Sequence, residues 1–162
     1  EAVSLLAWSV EQLGDNFAIA GFNSNTREKV MYYHIKGYSE HWDDTVKARL
    51  ANLKAEYSTR MGAAIRHGTH YLNLQKSDKK LMLILTDGEP SDIDINDSEM
   101  LIKDTHKAVQ ECQQKGMYPY CISLDNKADE YISDVFGSHY SVIDRIESLP
   151  KELPQLFLSL TK

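Results

Sequence analysis

The stretch LMLILTDGEPSD, residues 81–92, decides how this chain is read. Five apolar residues, Leu81 to Leu85, run straight into Thr86-Asp87-Gly88, and Pro90 closes the segment. The run is too short for a helix and nearly all apolar, the pattern of a central parallel strand buried on both faces. It ends on a carboxylate, and more acids follow at Glu89, Asp92, Asp94 and Asp97.

The flanking segments set this strand in an alternating chain. STRMGAAIRHGTHYLNL (58–74) opens on a Ser/Thr cap and carries Met61, Ala64, Ile65 and Leu72 along one side, which predicts a helix. Asp97 to Lys115 reads as a helix capped by Asp97 or Ser98 and stopped by Gly116. After it come a strand at 117–124, a short helix at 127–137, a strand at 139–144 and a final helix at 148–160. In that last helix Pro150 suits the first turn, whereas Pro154 is expected to kink the helix or delay its start. Toward the other end, 1–14 has helical spacing and Gly14 as its stop. DNFAIAGFNS (15–24) and REKVMYYHIKG (27–37) read as an antiparallel hairpin around Asn23-Ser24-Asn25, and 43–54 as a short amphipathic helix with an Asp cap.

Strands alternating with helices predict an α/β fold: a mostly parallel central sheet with helices on both faces and one antiparallel hairpin strand. In such sheets ligands sit at the carboxyl ends of the strands. Asp87 lies at one such end, and Thr59 opens the helix that precedes it.

Composition narrows the partners. The 162 residues make one domain, and a formal charge of −6 argues against nucleic acid and against anionic lipid. A cation or a cationic protein surface is the more natural partner. Cys112 and Cys121 have no metal-type spacing around them, so they read as reduced core thiols and the expected compartment is the cytoplasm. No apolar run has transmembrane length. The chain opens on Glu1 inside an uncapped helix, so a segment upstream is expected to be missing.

The acidic loop admits several chemistries. Asp92-x-Asp94-x-Asn96 copies the start of an EF-hand, but Asp97 stands where a Gly is needed and Lys103 where a Glu is needed, so that reading fails. A Mg²⁺-dependent phosphohydrolase using Asp87 would need a cationic phosphate clamp, and the loop has no Lys or Arg between Lys80 and Lys103. A hard-cation site made of the Asp87 carboxylate and the Thr59 hydroxyl, completed by water, needs no such clamp. Against it stands the plain possibility that Asp87 caps a turn and Thr59 caps a helix. His67 and His70, three apart on a helix, lack further ligands and read as partly exposed helix residues.

The blocks EYSTRMGAAIRHGTHYL and ILTDGEPSDIDI, with the downstream run from Lys103 to Gly137, resemble the von Willebrand factor A domain of the NorD/CbbO proteins over nearly the whole chain. GEPSDIDI followed by NDSEMLI looks closer to CbbO. The resemblance implies a Rossmann-like fold and a non-enzymatic adaptor that works with a MoxR-type AAA+ ATPase, NorQ or CbbQ. The adaptor would engage a client: rubisco in the CbbO case, nitric oxide reductase in the NorD case.

It also implies a metal-ion-dependent adhesion site that holds Mg²⁺ through a DxSxS motif, a Thr and an Asp. Thr59 matches the second element and Asp87 the third, while Glu89, Ser91, Asp92 and Asp94 would form a rim that contacts the partner. No Asp-x-Ser-x-Ser occurs in these residues. The chain is therefore expected to be a partial A domain, the C-terminal part of a larger protein, whose first strand would lie upstream of Glu1. Mg²⁺ is then expected to bind these residues weakly or not at all, and open sheet edges would invite self-association. A metal-independent scaffold role is the remaining alternative.

Overall fold

The computed structural model describes residues 2–53, 58–91 and 96–161. Helix α1 (Ala2–Leu13) leads into a hairpin of β1 (Ile19–Ser24) and β2 (Val30–Lys36), and helix α2 (Asp44–Ala51) follows. Helix α3 (Met61–Asn73), β3 (Leu81–Thr86), α4 (Ser98–Gln114), β4 (Tyr118–Ser123), α5 (Ile132–Phe136), β5 (Tyr140–Val142) and α6 (Leu149–Thr161) complete the chain. Asp43 caps α2, taking the Val46 N–H at 3.0 Å, and Asp97 caps α4, taking the Glu99 N–H at 3.1 Å. Gly116 ends α4 at φ 82°, a left-handed conformation that glycine adopts without strain. Helix α6 runs through Pro154 rather than starting after it.

The strands β3, β4 and β5 form a parallel sheet in that order, and β1 pairs antiparallel with β2. Alternation along β3 divides the core. Ile84 joins Met61 and Ile65 of α3, Val109 of α4 and Ile132 of α5 on one face, with Met82 and Phe22 against them. Leu81, Leu83 and Leu85 face the other way, toward Leu5 and Leu6 of α1 and Leu156 and Leu160 of α6. Helices therefore cover both faces, and each buried aliphatic side chain contributes roughly 1.5–3 kcal/mol.

Among the described residues β3 pairs with β4 alone, and most of its side chains are half-buried beneath helices on both faces. Among the described residues, the other edge of β3 and that of β1 have no ladder partner along most of their length. The hairpin turn also lies later than Asn23-Ser24-Asn25, because Asn23 and Ser24 are the last residues of β1 and both are buried. The turn runs from Asn25 to Lys29, with Thr26 at φ 70°. Leu53, inside the 43–54 span read as a helix, lies beyond its end and covers Gly21, where a Cβ would stand 2.9 Å from the leucine.

The outer edge of β2 is closed off differently. The register shifts by one residue opposite Ile35, and the Arg49 guanidinium of α2 donates to the Ile35 carbonyl at 3.2 Å.

Candidate functional site

The carboxyl end of β3 is tied to its neighbours through the main chain. Leu124 N–H donates to the Thr86 carbonyl at 2.8 Å, continuing the β3–β4 ladder past the strand ends. Beyond the turn, Pro90 is fully buried, which draws the loop back onto the fold and leaves Asp87, Glu89 and Ser91 exposed.

Residues 58–59 do not belong to a helix. Ser58 exchanges both main-chain hydrogen bonds with Ser24 at 2.9 Å, and Thr59 exchanges both with Ser91 at 3.0 and 2.9 Å. Adjacent residues bonding to opposite sides is the pattern of a strand with two neighbours. A two-residue rung thus spans from the end of β1 to the loop after β3. It ties Thr59 by its main chain to Ser91, in the loop that follows Asp87.

The cap readings of both residues fail. The N-cap of α3 is Arg60, which makes no side-chain capping bond, and Thr59 lies outside the helix. At the turn, the Gly88 N–H donates to Thr86 Oγ1 at 3.3 Å, and that hydroxyl donates to the Gly88 carbonyl at 2.9 Å. The Thr59 hydroxyl and the Asp87 carboxylate make no hydrogen bond or ion pair with any described residue. An anionic and a neutral oxygen left free at a strand end match the donor types that a hard cation prefers, although two ligands do not fill its shell. No group of three or more His, Cys, Asp or Glu suited to a metal occurs among the described residues.

Of the expected rim, Glu89 and Ser91 are exposed beside the turn, while Asp92 and Asp94, with the EF-hand-like run they begin, lie outside the described residues. Ser24 was missed, because a serine between two asparagines reads as turn. It is fully buried, and its Oγ accepts the Arg60 N–H at 3.1 Å. Asn23 beside it is 7 % exposed, and its Oδ1 is buried without a donor.

Other candidates are accounted for by the fold. His67 and His70 are exposed on α3 and stand edge-on to Tyr71, at 5.0 and 5.4 Å between ring centres. Cys112 and Cys121 are unpaired and buried. At the far end of the hairpin a cavity of about 200 Å³ is lined by Glu11, Asp15, Lys36, Tyr38, Glu40 and His41 among others. The buried Lys36 ammonium donates to the carbonyls of Phe17 at 2.7 Å and Gly37 at 3.0 Å and lies 4.0 Å from the Phe17 ring centre. Burial lowers its pKa, against the pull of Glu11 and Glu40. The protein itself consumes this charge, so Lys36 ties two loops together. Among the described residues no helix is long and apolar enough to cross a membrane.

Residues 2–147 match the family described as von Willebrand factor type A domain. An uncharacterised protein of Pseudomonas aeruginosa is 35% identical over 100% of this chain and 27% of its own length. Protein NorD of Stutzerimonas stutzeri is 36% identical over 88% of the chain and 24% of itself. For protein NorD of Brucella melitensis the figures are 35%, 99% and 25%. The chain thus spans about a quarter of the length of these relatives.

Proposed function

Because the chain belongs to the von Willebrand factor type A domain family, we propose that it is a non-enzymatic protein-binding module of a NorD-like accessory protein. Thr59 and Asp87 would hold Mg²⁺, Asp87 directly or through water, and Glu89, Ser91, Asp92 and Asp94 would form the rim against the partner. One observation carries this reading: a hydroxyl and a carboxylate sit on two loops locked together by main-chain bonds, and neither bonds to any of the described residues. Bound Mg²⁺ would supply a Lewis-acidic centre with a position open to a partner's carboxylate. The remaining oxygens of such a site would come from residues other than these two, such as the DxSxS motif of a strand beside β1 and β3, which makes the chain part of a larger A domain.

The partner is proposed to be a client enzyme presented to a MoxR-type AAA+ ATPase. The name NorD carried by two relatives favours nitric oxide reductase over rubisco as that client. Free edges on β1 and β3 favour self-association when nothing else fills them.

The test uses the full-length parent protein with its neighbouring ATPase and each inhibited or immature client. Client activation lost in Asp87→Ala supports the reading, whereas activation intact in Asp87→Ala supports a metal-independent scaffold. Turnover of generic phosphate esters that disappears in Asp87→Ala would establish a phosphohydrolase instead.

A further inference from the structure

At the amino ends of β3 and β4, opposite the Asp87 loop, the charge of the chain reverses. Segments 75–80, before β3, and 113–118, leading into β4, hold Lys76, Lys79, Lys80 and Lys115 against a single acid, Asp78. Four lysines and one acid give these two segments +3, so the rest of a chain that totals −6 carries −9. The segments are joined: the Tyr118 N–H donates to the Lys80 carbonyl at 2.9 Å, and the Lys80 ammonium reaches back to the Asn73 carbonyl of α3 at 3.2 Å. Elsewhere Arg49, Arg66 and Lys103 pair with carboxylates. Lys76, Lys79 and Lys115 are exposed, and their ammonium groups make no hydrogen bond or ion pair with any described residue. Two large apolar side chains stand on the same edge. Leu74, which caps the end of α3, is 64 % exposed. Tyr118 is 41 % exposed and stacks on the His139 imidazole at 4.7 Å between ring centres, while Gln113 Nε2 stands 3.4 Å from His139 Nδ1.

We infer that this edge is a docking surface for a short acidic segment of a partner protein, one that carries an aromatic or aliphatic side chain among its carboxylates. Charge complementarity selects the occupant. Unpaired ammonium groups attract carboxylates and set the register, while Leu74 and the Tyr118 ring offer apolar contact that a purely charged chain does not use. A ring already braced by a second ring loses little conformational freedom on binding. Nucleic acid and anionic lipid answer the same lysines, but a long polyanion or a charged surface would also meet the −9 carried by the rest of the chain. A short segment confined to the edge avoids that repulsion. The inference is independent of the cation reading of Asp87, which concerns the other end of the strands.

The experiment uses the full-length parent protein and fluorescence anisotropy. The probe is a labelled peptide of Glu and Asp with one Phe and one Leu. Three others are compared with it: the same peptide with Ser in place of Phe and Leu, a single-stranded oligonucleotide of equal charge, and phosphatidylserine vesicles. Binding is read at about 0.02 and 0.15 M salt. A triple variant, Lys76→Gln with Lys79→Gln and Lys115→Gln, is expected to weaken the Phe/Leu peptide about tenfold or more at low salt and to flatten its salt dependence. A control triple at exposed lysines elsewhere, Lys107→Gln with Lys127→Gln and Lys151→Gln, should stay within about twofold of wild type. Tyr118→Ala is expected to weaken the peptide about threefold to tenfold at both salt concentrations, because apolar contact is not screened. Leu74→Ser should act in the same direction and covers the case in which Tyr118→Ala does not fold, which thermal melting reports. No binding of the Phe/Leu peptide by the wild type overturns the inference. Equal loss in the two triples overturns it as well, because total charge would then be the cause. Tighter binding of the oligonucleotide or the vesicles makes the edge a phosphate-binding surface instead, and equal binding of the Ser peptide removes the apolar contact that defines the partner.

Discussion

Thr59 and Ser91 exchange both of their main-chain hydrogen bonds, at 3.0 and 2.9 Å, although 31 residues of chain separate them. The bonds come from the backbone, so the side chain at 91 stays exposed and the chain direction at 59 is set by a partner on another loop. Ser91→Pro removes one donor of the pair and is expected to cost about 1–3 kcal/mol, whereas Ser91→Ala should change stability by less than about 0.5 kcal/mol. Urea denaturation of the two variants checks this. Equal effects would mean that the rung contributes nothing beyond the serine side chain.

Gly62→Ala is expected to destabilise the chain by about 1–3 kcal/mol, even though alanine is the better helix former. Gly62 lets α3 approach α4: a Cβ there would collide with the Asp104 carboxylate and stand 3.4 Å from its main-chain carbon. The carboxylate cannot simply swing away, because Arg66 holds it at 3.0 Å while also binding Glu111 at 3.0 Å. A melting temperature unchanged or raised in Gly62→Ala would show that the two helices have slack at this crossing.

Stability should fall on the alkaline side. Burial pushes the Cys121 thiol from 9.0 up to about 12, and burial likewise raises Cys112 and Tyr131. The unfolded thiol ionises near 9.0 while the folded one stays protonated, so above that pH the unfolded chain binds fewer protons and gains relative to the native state. The contribution is complete below the unfolded value and is lost as pH rises toward about 12, at up to roughly 1.4 kcal/mol per pH unit for Cys121. Denaturation midpoints between neutral pH and the alkaline limit measure it. Neither thiol should react with a disulfide reagent in the native state at mild alkaline pH, and fast modification of Cys121 without unfolding would contradict the assignment.

Self-association is expected to grow with concentration. Strands β1 and β3 carry no charged residue and no proline, and among the described residues each has one edge without a ladder partner along most of its length. Sedimentation velocity over a wide concentration range should show a dimer appearing, together with slower amide exchange along Leu81–Leu85. A chain that stays monomeric throughout would show that the gap between the strands is closed to an intruder.

The periodicity of the sequence carried the element types because it reflects which faces are buried. Leu81, Leu83 and Leu85 meet one helix layer and Met82 and Ile84 the other, and the alternation needs no long-range information. The number of neighbours beside β3 was a different matter. An apolar run looks the same whether one strand or two flank it, and the described residues give β3 one partner. Ser58 and Thr59 carry the chemistry of a helix cap, yet Ser24 and Ser91, far away in sequence, claim their backbone groups for a rung. Asp87 and Thr59 were legible as residue types at a strand end and a helix start. The bonds of the Thr86 and Ser24 hydroxyls beside them were not, because only the folded geometry reveals them.

The guard on the outer edge of β2 decides the form any assembly can take. The offset at Ile35 and the Arg49 contact to its carbonyl spoil that edge as a template, and β5 at the opposite side spans only Tyr140–Val142. Among the described residues that leaves the unpaired edges of β1 and β3 as the place for growth. An interface that both copies spend in meeting each other leaves nothing for a third, so the association closes as a two-fold pair rather than propagating. The same small arginine contact that tidies a loop would then set the stoichiometry, separating a chain that pairs from one that forms fibres.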